Sequence, residues 1–243
     1  MITDCNPDLS PFVDEWRIEA QNNLTLHTEH DLRDHLLMIN ECFKALSELL
    51  RLYPHKSEDE LIVLRLGVRV LNDAGASLKN ARSGYYQPAL ALVRDMIETG
   101  FLLVLFKREP ARIQAWTTAT ERVRKRDFGP AAVRKRLDEL DGHTQQVRQT
   151  VYSEFSIYAA HPHPRGFSVI SPNDMTEIGP FPDRDRVKAC VDELVRHFTN
   201  IVLGFLGHIP HEEAALAEIK ARFLATLDPW MRTYMPLAHP SAP

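Results

Sequence analysis

The sequence is short of the features that announce familiar chemistry. Its three cysteines, Cys5, Cys42 and Cys190, lie far apart and form no CxxC pair. Neither a disulfide framework nor a cysteine zinc site is therefore expected, and a reducing cytoplasm fits best. The longest uninterrupted apolar run, Phe101 to Phe106, is far short of the roughly 20 residues that span a bilayer. Residues 1 to 12, MITDCNPDLSPF, are acidic and lack an apolar centre, so no signal peptide is expected. HExxH, paired ExxH, GxGxxG, the Walker loop and GxSxG are all missing, which removes the common metal, nucleotide and hydrolase signatures. No repeat or low-complexity stretch occurs, and no cofactor is expected. Charge of one sign is also scarce. A formal net charge of −4 argues against a general nucleic-acid or membrane coat.

What is present is helical periodicity. With 243 residues, 44% of them hydrophobic and 26% charged, the chain can bury one sizeable core. Ser10-Pro11 opens a first helix whose apolar face is read as Phe12, Val13, Trp16 and Leu24. Leu32, Leu36, Ile39, Phe43, Leu46 and Leu50 mark a strong amphipathic helix that Pro54 stops. Ser57 and Glu60 form a capping box for the next one, which Gly84 ends. Pro88 sits in the first turn of a helix that is apolar around nearly its whole circumference, so it is expected to be buried on most sides. A long helix is predicted from Ala131 to about Ala159, with a kink at Gly142. Residues 161 to 183 are rich in proline and are expected to form a loop or small hairpin, GFSVI pairing with MTEIG. Asp183 caps the helix with the cleanest periodicity, and a last helix runs from His211 to Leu227. The tail beyond it contains several prolines and is read as either disordered or docked through Trp230. The expected architecture is all-α, an antiparallel bundle of long amphipathic helices. Its divisions are an N-terminal helix and arm (1–26), the bundle (27–227) and a C-terminal tail (228–243).

Several constellations carry possible chemistry. Arg94 and Glu98 lie one turn apart in the most apolar helix. If buried, they are either a structural ion pair or an anion site in which Glu98 orients the ligand or acts as a base. Arg82, Asn72 and Asp73 on the preceding helix are further polar candidates. Tyr152 and Ser156 share a face of a later helix. His161 follows its end, where the helix dipole favours a cation. His161 and His163 lack a third metal ligand. His27, His30, Asp31, Asp34 and His35 read as a solvated helix start. So do the basic segments Arg122–Arg126 and Arg134–Arg136, although phosphate contact is the alternative.

The order Arg82-x-Gly84-Tyr85, a proline-started helix with Arg94-x3-Glu98, Trp116, then Tyr152-x3-Ser156 and His161-Pro162 resembles a family of uncharacterised bacterial proteins of the HEPN-like helical-bundle kind. The likeness covers roughly residues 30 to 205. It implies an all-helical bundle, often a homodimer. Many HEPN proteins are ribonuclease toxins or defence proteins, or bind nucleotides or RNA. Their metal-independent nuclease motif is Arg-x4-6-His, with a polar residue after the arginine. Arg136 and His143 satisfy the spacing, but Leu137 and Gly142 depart from the pattern. The expectation is a cytoplasmic binding or regulatory module with a polar, anion-binding pocket at the central helix, formed by Arg94, Glu98, Tyr152, Ser156, His161 and Arg82. Its ligand would be a nucleotide, RNA or another anion. The alternatives are a ribonuclease using Arg136 and His143, and a purely structural interaction scaffold.

Overall fold

In a computed structural model the described residues are 15–143, 147–160, 162–210 and 213–235. The fold is all-α, with helices packed together in a bundle. In chain order they are α1 (Glu15–Thr28), α2 (His30–Leu52), α3 (Glu58–Arg82), α4 (Tyr86–Arg108), α5 (Arg112–Thr118), α6 (Glu121–Phe128), α7 (Pro130–Leu140) and α8 (Val147–Phe155). A wide-turn π segment (Ser156–Ala160) and 3-10 turns at Pro164–Val169 and Pro172–Asp174 precede α9 (Arg184–Leu206) and α10 (Ala214–Tyr234). No helix among the described residues is long and apolar enough to cross a membrane.

The chain's own chemistry sets most boundaries. Ser57 Oγ accepts from Glu60 N at 3.2 Å, and Glu60 in turn accepts from Lys56 N, so amides without helical partners are satisfied at the start of α3. Asp183 caps α9 through Arg186 N at 2.8 Å. Gly84, at φ +85°, ends α3. There Tyr85 N donates to Asn80 O and Gly84 N to Ala81 O, the Schellman pattern that a left-handed residue permits. A side chain at Gly84 would also collide with the Phe181 backbone.

Helix α4 is the hub. It packs chiefly on α3 and α9 and is covered elsewhere by α7, α8 and the π segment. Val93, Met96, Ile97, Leu103 and Phe106 are buried in the common core. Gly100 lets α9 approach, since a Cβ there would lie 2.7 Å from Ile201 Cγ1. Helix α9 also packs on α2 and α3, and α10 lies along α2.

Four expectations change. The face that α1 buries is Ile18, Asn22 and Leu26. Trp16 and Leu24 point to solvent, because α1 packs on α2 and α3 through its other side, and Ser10, Pro11, Phe12 and Val13 lie outside the described residues. The expected long helix stops at Leu140. Gly142, at φ +72°, makes a second Schellman stop, with His143 N bonded to Asp138 O and Gly142 N to Glu139 O. No strand occurs among the described residues of 161–183. Pro164 and Pro172, which lack an amide to donate, start 3-10 turns there instead of a hairpin. Finally, α10 passes through Pro229 to Tyr234. The lost hydrogen bond is offset by burial of Trp230, which docks the start of the expected tail on α2. The basic run on α6 pairs locally, Arg124 with Glu121 and Arg126 with Asp127, as a solvated face should.

Candidate functional site

The site grows where α7 and α8 meet over α4. Arg94 and Glu98 are on its side facing α7 and α8, with Nη2 2.9 Å from Oε1. Their separation of one turn makes that pair a local consequence of the sequence. Helix α8 then brings Tyr152 between them. Its hydroxyl donates to Glu98 Oε1 at 2.6 Å and accepts from Arg94 Nη2. About three quarters of the Arg94 and Glu98 side chains is withdrawn from water, and Tyr152 is buried.

Helix α7 adds a residue outside the expected set. Arg134 is only 5% exposed, and its guanidinium carbon lies 3.7 Å from the centroid of the Tyr152 ring. Arg94 approaches the same ring at 4.8 Å. Both are cation–π contacts, which partly offset the loss of water. The one hydrogen bond of the Arg134 side chain among the described residues goes from Nη2 to Gln149 Oε1 at 2.7 Å. Its Nε and Nη1 are buried without partners, as are Arg94 Nε and Ser156 Oγ. The acid one turn along from Arg134 is Asp138, and Arg148 has taken it at 2.6 Å. Among the described residues, therefore, Arg94 has Glu98 while Arg134 has no carboxylate, and one positive charge of this half-dry cluster is unanswered.

The other expected residues divide. Ser156 opens the π segment on the same stretch as Tyr152. His161 lies outside the described residues. Arg82 does not join: it donates to Asn23 at 2.8 Å and pairs with Glu19 at 3.2 Å, because the last turn of α3 faces α1. Asn72 is exposed. Asp73 faces Asp95, whose other neighbour is Arg69 at 2.5 Å. Burial, and then a hydrogen bond to Asp95, push the Asp73 carboxyl up to about 7. Arg136 is held by Glu109 and by Glu139 at 3.2 Å, so its charge is already answered. His143 is exposed just past the α7 stop. The histidine-rich start of α2 is only partly solvated. His35 is buried, with Nδ1 accepting from Trp230 Nε1 at 3.1 Å and Nε2 3.3 Å from Asp192. No group of three or more potential metal ligands occurs among the described residues.

Sequence reasoning missed Arg134 because it read the residue with its basic neighbours as a solvated face. The available signal was register. Arg134, Leu137 and Asp138 fall at i, i+3 and i+4, on the edge of the stripe that Val133 and Leu137 define, and all four are buried.

None of the three main cavities is lined by Arg94, Glu98, Tyr152 or Ser156. The largest, about 930 Å³, lies on the other side of α8 and the π segment, where Phe155 and Tyr158 form one wall and α9 another. The two free thiols described, Cys42 and Cys190, are buried, and burial raises each to about 12. Neither is suited to thiolate chemistry. Compared with protein-family models, with curated proteins and with solved structures, the chain has no match.

Proposed function

We propose that this chain is a binding or regulatory module that holds an anion at α4, between Arg94 and Arg134. The supporting observation is Arg134 itself, a buried cation with no carboxylate among its described partners. Removing an ion from water costs several kcal/mol unless a counter-charge answers it. Glu98 already serves Arg94 and Tyr152. A phosphate or carboxylate would supply the missing charge. It would also accept from Arg94 Nε, Arg134 Nε and Nη1, and Ser156 Oγ, all now unpartnered. The resemblance of residues 30 to 205 to HEPN-like bundles makes a nucleotide or an RNA phosphate the first anion to try.

The test is thermal melting of the wild-type chain with inorganic phosphate, ATP, a short RNA and citrate at fixed ionic strength. A ligand that binds only the folded state raises the melting temperature with concentration. At least one anion is expected to do so, and Arg134→Gln is expected to abolish the rise. Melting curves that no anion displaces would end this reading.

A further inference from the structure

We infer that the large cavity beside α9 is a second binding site, for an uncharged and mostly apolar small molecule carrying a carbonyl or hydroxyl group. Its volume of about 930 Å³ falls in the range of roughly 300–1,000 Å³ typical of small-molecule sites. Leu90 of α4, Phe155 and Tyr158, Val169 of the first 3-10 turn and Ala189 of α9 form its apolar walls. Ala189 is the small residue on the α9 wall.

Charge decides the ligand class. Every ionised group among the described lining residues is already answered. Arg186 donates to Asp183 at 2.7 Å and to the carbonyls of Val169 and Ser168. Glu193 lies 3.6 Å from Arg196 and 3.4 Å from His197. Asp185 lies 3.0 Å from Arg184. A charged ligand would have to break one of these pairs, whereas a neutral one leaves them intact. This is the reverse of the Arg134 cluster, where a cation lacks its counterpart.

The polar handle sits at one place. A second cavity of about 270 Å³ continues along α9 past Gly100 and Gly204, and both cavities are lined by His197 and Asn200. These two side chains form the waist of a trough that follows α9 from Asp185 to Gly204, about 28 Å at 1.5 Å per residue. The Asn200 amide makes no hydrogen bond among the described residues and can both donate and accept. A carbonyl or hydroxyl at the waist would meet it, with apolar parts running to either side.

Nile red is uncharged, apolar and carries a carbonyl, so its fluorescence provides the probe. The wild-type chain is expected to bind it saturably at one site per chain. Ala189→Phe takes up part of the larger cavity and Asn200→Trp blocks the waist, and each should weaken binding by about tenfold or more. If Ala189→Phe fails to fold, as judged by its circular dichroism melt, Asn200→Trp decides alone, since position 200 is exposed. Absent or non-saturable binding, or variants that bind like wild type, would overturn the inference. So would light scattering that shows dye binding lost as the chain dimerises, because a second copy would then be the occupant.

Discussion

Two buried polar clusters in this molecule have similar ingredients and opposite states of completion. One joins α2, α9 and α10. His35 accepts from Trp230 and faces Asp192, Lys188 reaches Asp192 at 3.1 Å, and Tyr234 donates to Asp34 at 2.6 Å. The Tyr234 ring stands edge-on to His35, centroids 4.5 Å apart. Burial works against the Asp192 carboxylate, but bonds from His35 and Lys188 outweigh it and hold its pKa low. No polar atom of these side chains is buried without a partner. The other cluster, around Tyr152, leaves four polar atoms unpartnered and one cation unanswered among the described residues. The difference teaches where to look for function. A closed network has its reason in the fold, since here it fastens the last helix. An open one needs a reason outside it.

The comparison can be broken by substitution. The largest effect is expected in the closed cluster. Trp230→Ala removes a buried aromatic and the donor to His35, and should destabilise the chain by about 3–5 kcal/mol, measured by urea unfolding. Next comes Glu98→Gln, which deprives Arg94 of its carboxylate and Tyr152 of its acceptor. Losing one member of a fully buried pair costs roughly 3–5 kcal/mol, and about 2 kcal/mol is expected here because solvent still reaches the pair. Arg134→Met should differ sharply from both. Removing an unanswered buried cation should leave stability within about 1 kcal/mol of wild type or raise it. A loss as large as that of Trp230→Ala would mean that the second cluster is closed after all.

A smaller effect sharpens the comparison through pH. Asp73 is an acid whose folded-state pKa lies near 7, well above its ordinary 3.8. Between those values the folded chain holds a proton that the unfolded chain releases. The stability it contributes is therefore complete below about pH 4 and is lost as pH rises through 7. Asp73→Asn should flatten that part of the profile, gaining on wild type in paired melts as pH rises from about 4 through about 7, the window set by the two pKa values. The smallest effect is expected at His143. His143→Ala should move stability by less than about 0.5 kcal/mol. With Arg136 engaged by Glu109 and Glu139, it should also leave RNA incubated with the protein as it was with wild type. Loss of a wild-type cleavage activity in this variant would favour the ribonuclease alternative.

Legibility followed the range of the forces involved. The amphipathic helices were readable because each depends on spacing within a few turns. So was the Arg94–Glu98 pair, one turn apart on one helix. Gly142 was visible as an irregularity, but kink and stop differ only in whether the glycine turns left-handed and the chain leaves. The 161–183 segment has strand-like alternation in GFSVI, yet among the described residues a single backbone bond, Glu177 N to Ile170 O, joins it to MTEIG and no strand forms. Pro229 looked like an end because proline costs a helix roughly 3 kcal/mol, and only the docking of Trp230 and Tyr234 on α2 outweighs that. Arg134 was hidden among basic residues because its burial depends on α7 lying against α4.

The sequence by itself determined an all-α chain, the capped starts at Ser57 and Asp183, the glycine stop at Gly84, and the pairing of Arg94 with Glu98. These rest on contacts between residues a few positions apart. Tertiary structure alone decided which ions are left without a partner. Whether Asp138 serves Arg134 or Arg148, whether Arg82 faces α1 or α4, and whether His35 meets water or Trp230 each depends on how helices distant in sequence pack. Short-range chemistry builds the elements here, and packing distributes their charges.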